Sequence, residues 1–180
     1  MKICIVSDSH DRSEPLVAAV KAAQAAGAKA VIHCGDVIGA HTLRASLRLG
    51  LPIHVVHGNN LGDTMAIHNL MANNAGHLIY HGMDATLDLG GRRIFVTHYP
   101  HYGHGMACTG DYDLICCGHS HIAEVVTFTN VKGGQTTLAN PGTVAGIHAP
   151  GIIAPYTWIL GDLEHMTFEI HTLEPELLED

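Results

Sequence analysis

Residues 113 to 121, DLICCGHSH, open as an apolar run and end, just past a glycine, on two histidines separated by one serine. A short continuous run of this kind suits a strand covered on both faces. The polar turn after it marks where that strand stops. The same layout recurs upstream: KICIV (2–6) runs into VSDSH, AKAVIH (28–33) into HCGD, PIHVVH (52–57) into HGNN, and RRIFVTH (92–98) ends on its own histidine. Each apolar run is interrupted at its carboxyl end by groups able to bind a metal. In open α/β sheets those ends line one crevice, which is where ligands bind.

The segments between the runs set the architecture. SEPLVAAVKAAQAAGA (13–28) is rich in alanine, with Ser13 as the expected N-cap, Pro15 in the first turn and Gly27 as a stop. AHTLRASLRLG (40–50) reads as a second helix. Strand and helix therefore alternate through the first half, and a right-handed parallel arrangement follows. The second half reads as hairpins: 84–98 around Gly90-Gly91, 122–140 through Lys132-Gly133-Gly134, and 156–173 around Gly161-Asp162. The expectation is an α/β fold in which a mixed sheet packs on a second sheet. Residues 99–110, YPHYGHGMACTG, read as a loop, and EPELLED (174–180) as a solvated acidic end.

At 180 residues, 47% hydrophobic and 14% charged, the chain suits one well-buried core, and a single domain over residues 1–180 is expected. Only a short apolar run separates Met1-Lys2 from Ser7-Asp8, and no stretch is long enough to span a bilayer, so a cytoplasmic location and no membrane partner are expected. Five cysteines form no CxxC pair, and Cys4, Cys34, Cys116 and Cys117 lie in or beside apolar runs, as small buried hydrophobes do. A formal charge of −8 with nine Lys and Arg lacks the basic footprint of a nucleic-acid binder.

Of the 16 histidines, His54, His68, His77, His81, His165 and His171 read as ordinary solvated or hydrogen-bonded side chains. The strand ends bring forward a different set: Asp8, His10, Asp36, Asn59, His98, His119 and His121. These donors are carboxylate, amide and imidazole, without thiolate. Two cations close together need one carboxylate to bridge them, and Asp36 is the natural bridge. Mixed oxygen and imidazole ligation suits Mn²⁺, Fe²⁺, Co²⁺, Ni²⁺ or Zn²⁺ better than Ca²⁺. The spacings Asp8-Ser9-His10 and His119-Ser120-His121 would, in extended backbone, aim both members of each pair the same way. Gly35, Gly58 and Gly118 allow tight turns and close approach before the ligands. His33 and His57 are expected to support ligands rather than bind metal. His41, His101 and His104 lie in segments expected to border the pocket.

Taken in order, D-x-H, G-D, G-N, an isolated H and G-H-x-H resemble the pattern of the calcineurin-like metallophosphoesterases. The likeness extends to Asn140-Pro141-Gly142-Thr143 and is greatest with the small single-domain bacterial and archaeal phosphodiesterases. It implies a sandwich of two β-sheets flanked by helices. It also implies two divalent ions, with Mn²⁺ the first expectation and Ni²⁺, Fe²⁺, Co²⁺ and Zn²⁺ the alternatives. One ion would be held by Asp8, His10, Asp36 and His121, the other by Asp36, Asn59, His98 and His119. The implied activity is hydrolysis of a small phosphate ester, diesters favoured, by attack of a metal-bridging hydroxide on phosphorus. Asp36, Asn59, Asn60 and His98 would carry the catalysis. Arg12, Asn59 and Asn60 are candidates for substrate contact, Arg12 reading equally well as a solvent-facing arginine at a helix start. Two alternatives are a phosphomonoesterase of the same superfamily and a metal-binding protein-interaction scaffold resembling the retromer subunit that shares the fold. Relatives commonly self-associate, so a homo-oligomer is a further expectation.

Two positions depart from the pattern. Asn60 stands where many relatives carry the histidine credited with assisting the leaving oxygen, and an amide cannot act as a general acid near neutral pH. Tyr99 stands where glycine is usual, and is expected to narrow the site.

Overall fold

The structure is a computed structural model that describes residues 1–174. In chain order its elements are β1 (Lys2–Val6), α1 (Ser13–Ala25), β2 (Ala28–His33), α2 (His41–Leu47), β3 (Ile53–Val55), α3 (Thr64–Ala72), β4 (Leu78–Tyr80) and β5 (Asp84–Leu89). They continue with β6 (Arg92–Thr97), α4 (Pro100–Thr109), β7 (Leu114–Cys116), β8 (Ala123–Thr129), β9 (Gln135–Pro141), β10 (Thr157–Asp162) and β11 (Thr167–Thr172).

The two-residue period of a strand sorts the apolar side chains into layers. In β1, Cys4 and Val6 turn outward to α1 and α2, whereas Ile3 and Ile5 turn inward, and all four are fully buried. The first sheet has the order β11-β10-β1-β2-β3-β4, parallel from β1 to β4 with β10 antiparallel to β1. The second runs β5-β6-β7-β9-β8, with β6, β7 and β9 parallel and β5 and β8 antiparallel at the edges. Both sheets are mixed, as expected. Ile3, Ile5 and Ile32 of one sheet meet Leu87, Ile94, Val96 and Leu114 of the other. Helices α1, α2 and α3 cover the outer face of the first sheet, and α4 packs on Ile115 and Leu138 of the second. The result is the α/β sandwich of two mixed sheets flanked by helices.

Several details differ from the sequence reading. Helix α1 begins at Ser13, so Arg12 rather than Ser13 is the capping residue, and no side chain caps it. The last hairpin turns at 163–166, because Gly161 and Asp162 pair within the ladder with Phe168 and Thr167. Residues 99–110 are not a loop: they hold α4, which starts at Pro100 and stops at Gly110, in the left-handed conformation. Gly103 lets this helix lie close, since a Cβ there would already sit 3.2 Å from Ile115 Cγ2 and 3.3 Å from Leu138 Cδ1. Helix α3 and strand β4 were not anticipated; Asp63 caps α3 by accepting a hydrogen bond from Ala66 N at 2.9 Å. Of the acidic end, Glu174 is exposed and 175–180 lie outside the described residues.

Cys4, Cys34, Cys116 and Cys117 are buried. Burial holds the Cys4, Cys34 and Cys117 thiols well above their ordinary range, which keeps them unreactive. Among the described residues no helix is long and apolar enough to cross a membrane.

Candidate metal centre

Because β1, β2, β3, β6 and β7 are parallel within their sheets, their carboxyl ends meet along one edge of the sandwich. Asp8 and His10 follow β1, Asp36 follows β2, Asn59 follows β3, His98 follows β6, and His119 and His121 follow β7. The turns are fastened to each other by Asp8 N donating to Gly35 O at 3.0 Å and His10 N to Asp36 O at 3.0 Å.

The extended-chain explanation for the two paired motifs does not hold. Asp8, His10, Asp36, His119 and His121 all have left-handed φ, of 53°, 42°, 53°, 68° and 59°. Side chains with a Cβ avoid this region, at a cost on the order of 1–3 kcal/mol each. The chain is turned sharply at these five of the seven candidate ligands, Asn59 and His98 being the exceptions, and at the five the turn rather than alternation aims the side chain inward. Close approach follows: at Gly58 a Cβ would collide with Asp36 Oδ1 and lie 2.7 Å from His98 Nε2, and at Gly118 one would lie 2.8 Å from Asp8 Oδ2.

The donors form two groups that share a carboxylate. On one side His121 Nε2 is 3.2 Å from Asp8 Oδ1, and His10 Nε2 is 3.7 Å from that oxygen and 3.6 Å from Asp36 Oδ2. On the other, His98 Nε2 is 3.5 Å from Asp36 Oδ1 and 3.0 Å from Asn59 Oδ1, which His119 Nδ1 approaches to 2.8 Å. Asp36 turns one oxygen to each group. His119 and His121 thus go to different groups. Asp8 Oδ1 and His10 Nε2 are buried without a hydrogen-bond partner. Buried polar atoms are almost always paired, so orphaned atoms converging on one point fit a cation. The set of carboxylate, amide and imidazole donors suits a first-row divalent metal.

Other side chains hold these donors in place. His98 Nδ1 donates to Cys34 O at 2.8 Å and His121 Nδ1 to Ile147 O at 2.6 Å, which turns each Nε2 toward the carboxylates. Asn60 donates its backbone N–H to Asp36 Oδ1 at 2.9 Å and its Nδ2 to Oδ2 at 2.6 Å. Its amide is therefore committed to Asp36. Asn140 donates from Nδ2 to Gly118 O at 3.1 Å and Ser120 Oγ at 2.9 Å, and Thr143 Oγ1 donates to Asp8 O at 2.8 Å. The Asn140–Thr143 turn thus fastens the ligand turns of both sheets, a role that its spacing in the sequence did not reveal. Arg12 Nη1 donates to Ala145 O at 3.0 Å and lies 3.4 Å from Tyr156 Oη, tying the start of α1 to the segment after β9. His57 Nδ1 meets Tyr80 Oη at 2.7 Å, not a ligand.

Burial opposes ionisation of Asp8, but the neighbouring imidazoles of His10, His121 and His98 outweigh it and hold the carboxyl well below its usual range. The nearby Asp8 carboxylate in turn raises His121. Burial lowers His119, with His98 adding to the effect.

His33 supports Ser9, between two ligands. Gly35 N donates to its Nδ1 at 3.3 Å, so Nε2 carries the proton and donates to Ser9 Oγ at 3.0 Å. Burial pushes this imidazole down to about 4 from the ordinary 6.5. Between those values the unfolded chain binds a proton that the folded chain excludes, so stability is full above pH 6.5 and falls as pH drops toward 4. His33 is expected to contribute on the order of 3 kcal/mol to that loss. His54, lowered to about 4 by burial and then by His81, adds to the same window. Urea unfolding of chelated protein should show this fall, and His33→Gln should flatten part of it. An unaltered slope in the variant would assign the proton to another group.

The calcineurin-like phosphoesterase superfamily domain matches residues 1–165. The chain belongs to that superfamily, a class of hydrolases acting on phosphate esters. It is 30% identical over 149 residues to the phosphodiesterase MJ0936 of Methanocaldococcus jannaschii, covering 81% of this chain and 86% of that protein. Among solved structures, a novel archaeal phosphodiesterase superposes with a TM-score of 0.84 at 22% identity, over 96% of this chain and 100% of the other. Zinc-complexed Vps29 of Entamoeba histolytica superposes with a TM-score of 0.63 at 14% identity, over 96% and 98% of the two chains.

Proposed function

We propose that the protein is a dinuclear metal-dependent phosphodiesterase. The observation that carries this reading is Asp36, whose two oxygens face two separate donor groups. Asp8, His10, Asp36 and His121 would hold one divalent ion and Asp36, Asn59, His98 and His119 the other, with Mn²⁺ the first candidate and Ni²⁺, Fe²⁺, Co²⁺ and Zn²⁺ the alternatives. When bound, such a pair supplies a hydroxide nucleophile at neutral pH and screens the charge that builds on the phosphoryl oxygens.

The protein's own residues set the rest. His98 and His121 present Nε2 because their Nδ1–H groups are occupied by backbone carbonyls. Asn59 and His119 are exposed, which leaves the second group open to a substrate. Asn60 braces Asp36 and offers no titratable proton to a leaving oxygen. A diester with a good leaving group needs no such proton and brings a single negative charge to a chain of formal charge −8. That favours diesters over monoesters, in keeping with the activity named for the Methanocaldococcus relative. The likeness to Vps29 raises the scaffold alternative; the orphaned Asp8 and His10 atoms fit a bound cation under either reading, so turnover of a diester is what separates the two.

The test compares 4-nitrophenyl diesters and monoesters in Mn²⁺, in wild type and Asn60→His. Wild type should prefer the diester. Asn60→His should raise turnover of monoesters with basic leaving groups, by roughly 10²-fold where protonation limits the rate, and raise good leaving groups much less. A wild-type monoester preference rules out the diester reading; equal gains for both leaving groups remove position 60 from the leaving oxygen.

A further inference from the structure

Strand β6 carries two alternating sets of side chains. Ile94 and Val96 face the space between the sheets, and His98 continues that set into the metal centre. Phe95, Thr97 and Tyr99 line a cavity of about 480 Å³ under α4. The cavity is thus lined by both chain neighbours of a metal ligand. Tyr99 is the partition: its ring lies 5.3 Å from that of His98 and 5.3 Å from that of His119, and it also contacts Tyr102 at 5.8 Å. Met83, Tyr102 and Met106 complete the apolar part of the wall, Met83 and Tyr102 being exposed at its rim.

The chemistry of the wall selects what fits. Neither Lys nor Arg lines it; Asp84 is its one formally charged residue and His101 its one imidazole, so the wall offers no fixed positive charge to a second phosphate or another anion. Aromatic rings and methionine thioethers instead favour a flat apolar group. The volume lies in the ordinary range for small-molecule pockets. On the reading of the site as a phosphodiesterase, we propose that this cavity is a subsite for the non-leaving arm of the diester, and that the arm is a neutral aromatic group passing over Tyr99. The cavity then sets which diesters are good substrates, while the metal centre sets the reaction.

Gly105 gives a clean test. It lines the cavity from α4, and a Cβ added there meets nothing within 4 Å, so Gly105→Phe can be introduced without a Cβ clash and is expected to take up part of the cavity, with unchanged circular dichroism confirming the fold. Bis(4-nitrophenyl) phosphate and methyl 4-nitrophenyl phosphate share a leaving group and differ only in the other arm. Their intrinsic reactivities cancel when the ratio of kcat/KM values is compared between wild type and variant. The ratio is expected to fall about tenfold in Gly105→Phe, the loss expected when an aromatic ring is denied its apolar contact. A second measurement needs no turnover. In protein labelled at its methionine methyls, 4-nitrophenol, kept neutral by working below its own pKa, should shift the Met83 and Met106 signals, assigned with Met83→Leu and Met106→Leu, and leave those of Met65 and Met71 in place.

An unaltered ratio, or methyl signals indifferent to 4-nitrophenol, overturns the subsite. Signals that move with protein concentration rather than with 4-nitrophenol mark a surface between two copies and overturn it equally. Failure of wild type to hydrolyse either diester in Mn²⁺ sinks the phosphodiesterase reading, and the subsite with it. The methyl shifts would still separate that result from the absence of an aryl site.

Discussion

Exhaustive chelation is expected to reduce hydrolysis of an aryl phosphodiester to background, and Mn²⁺ or Ni²⁺ to restore it. Without a cation the crevice holds Asp8 and Asp36 among imidazoles and nothing that attacks phosphorus at neutral pH; bound water with a pKa near 7 in place of 15.7 is the difference. Metal removal also leaves Asp8 Oδ1 and His10 Nε2 buried and unpaired. Thermal stability should therefore fall together with activity and return with it. Full turnover by a sample shown to be free of metal would sink the mechanism.

Replacing Asp36 with alanine should be the most damaging single change among the ligands. Its two oxygens face His98 at 3.5 Å and His10 at 3.6 Å, so its loss strips a donor from both groups at once. It also frees the Asn60 side chain, which donates to Asp36 at 2.6 Å. A fall of roughly 10³-fold or more in kcat is expected, with bound metal dropping well below two equivalents. His119→Ala removes a donor from one group only and should retain more of both. Two tightly held metals and undiminished turnover in Asp36→Ala would show that the carboxylate is not shared.

The candidate donor set was legible because strand ends in a parallel sheet must converge, whatever path the chain takes between them. Asp8, Asp36, Asn59 and His98 could be placed from the point at which each apolar run broke. Their orientation could not be read the same way. Left-handed φ at Asp8, His10 and Asp36 accompanies backbone hydrogen bonds between the turns after β1 and β2, contacts made by residues far apart in the chain. Helix α4 was hidden for a related reason. Gly103 and Gly105 lower its intrinsic helicity, and only packing against Ile115 and Leu138 makes a glycine useful there. The roles of Asn60 and His33 depend on partners 24 residues away, beyond any local pattern.

The left-handed turns also bear on how such a protein changes over generations. At Asp8, His10, Asp36, His119 and His121 the fold tolerates a residue poorly suited to its backbone, for the sake of the side chain. Glycine would sit there without strain. Mutational drift to glycine there relieves backbone strain, and demand for turnover opposes it. A descendant relieved of that demand would shed ligands early and keep its sandwich intact, leaving a sturdy inert surface free to acquire other uses.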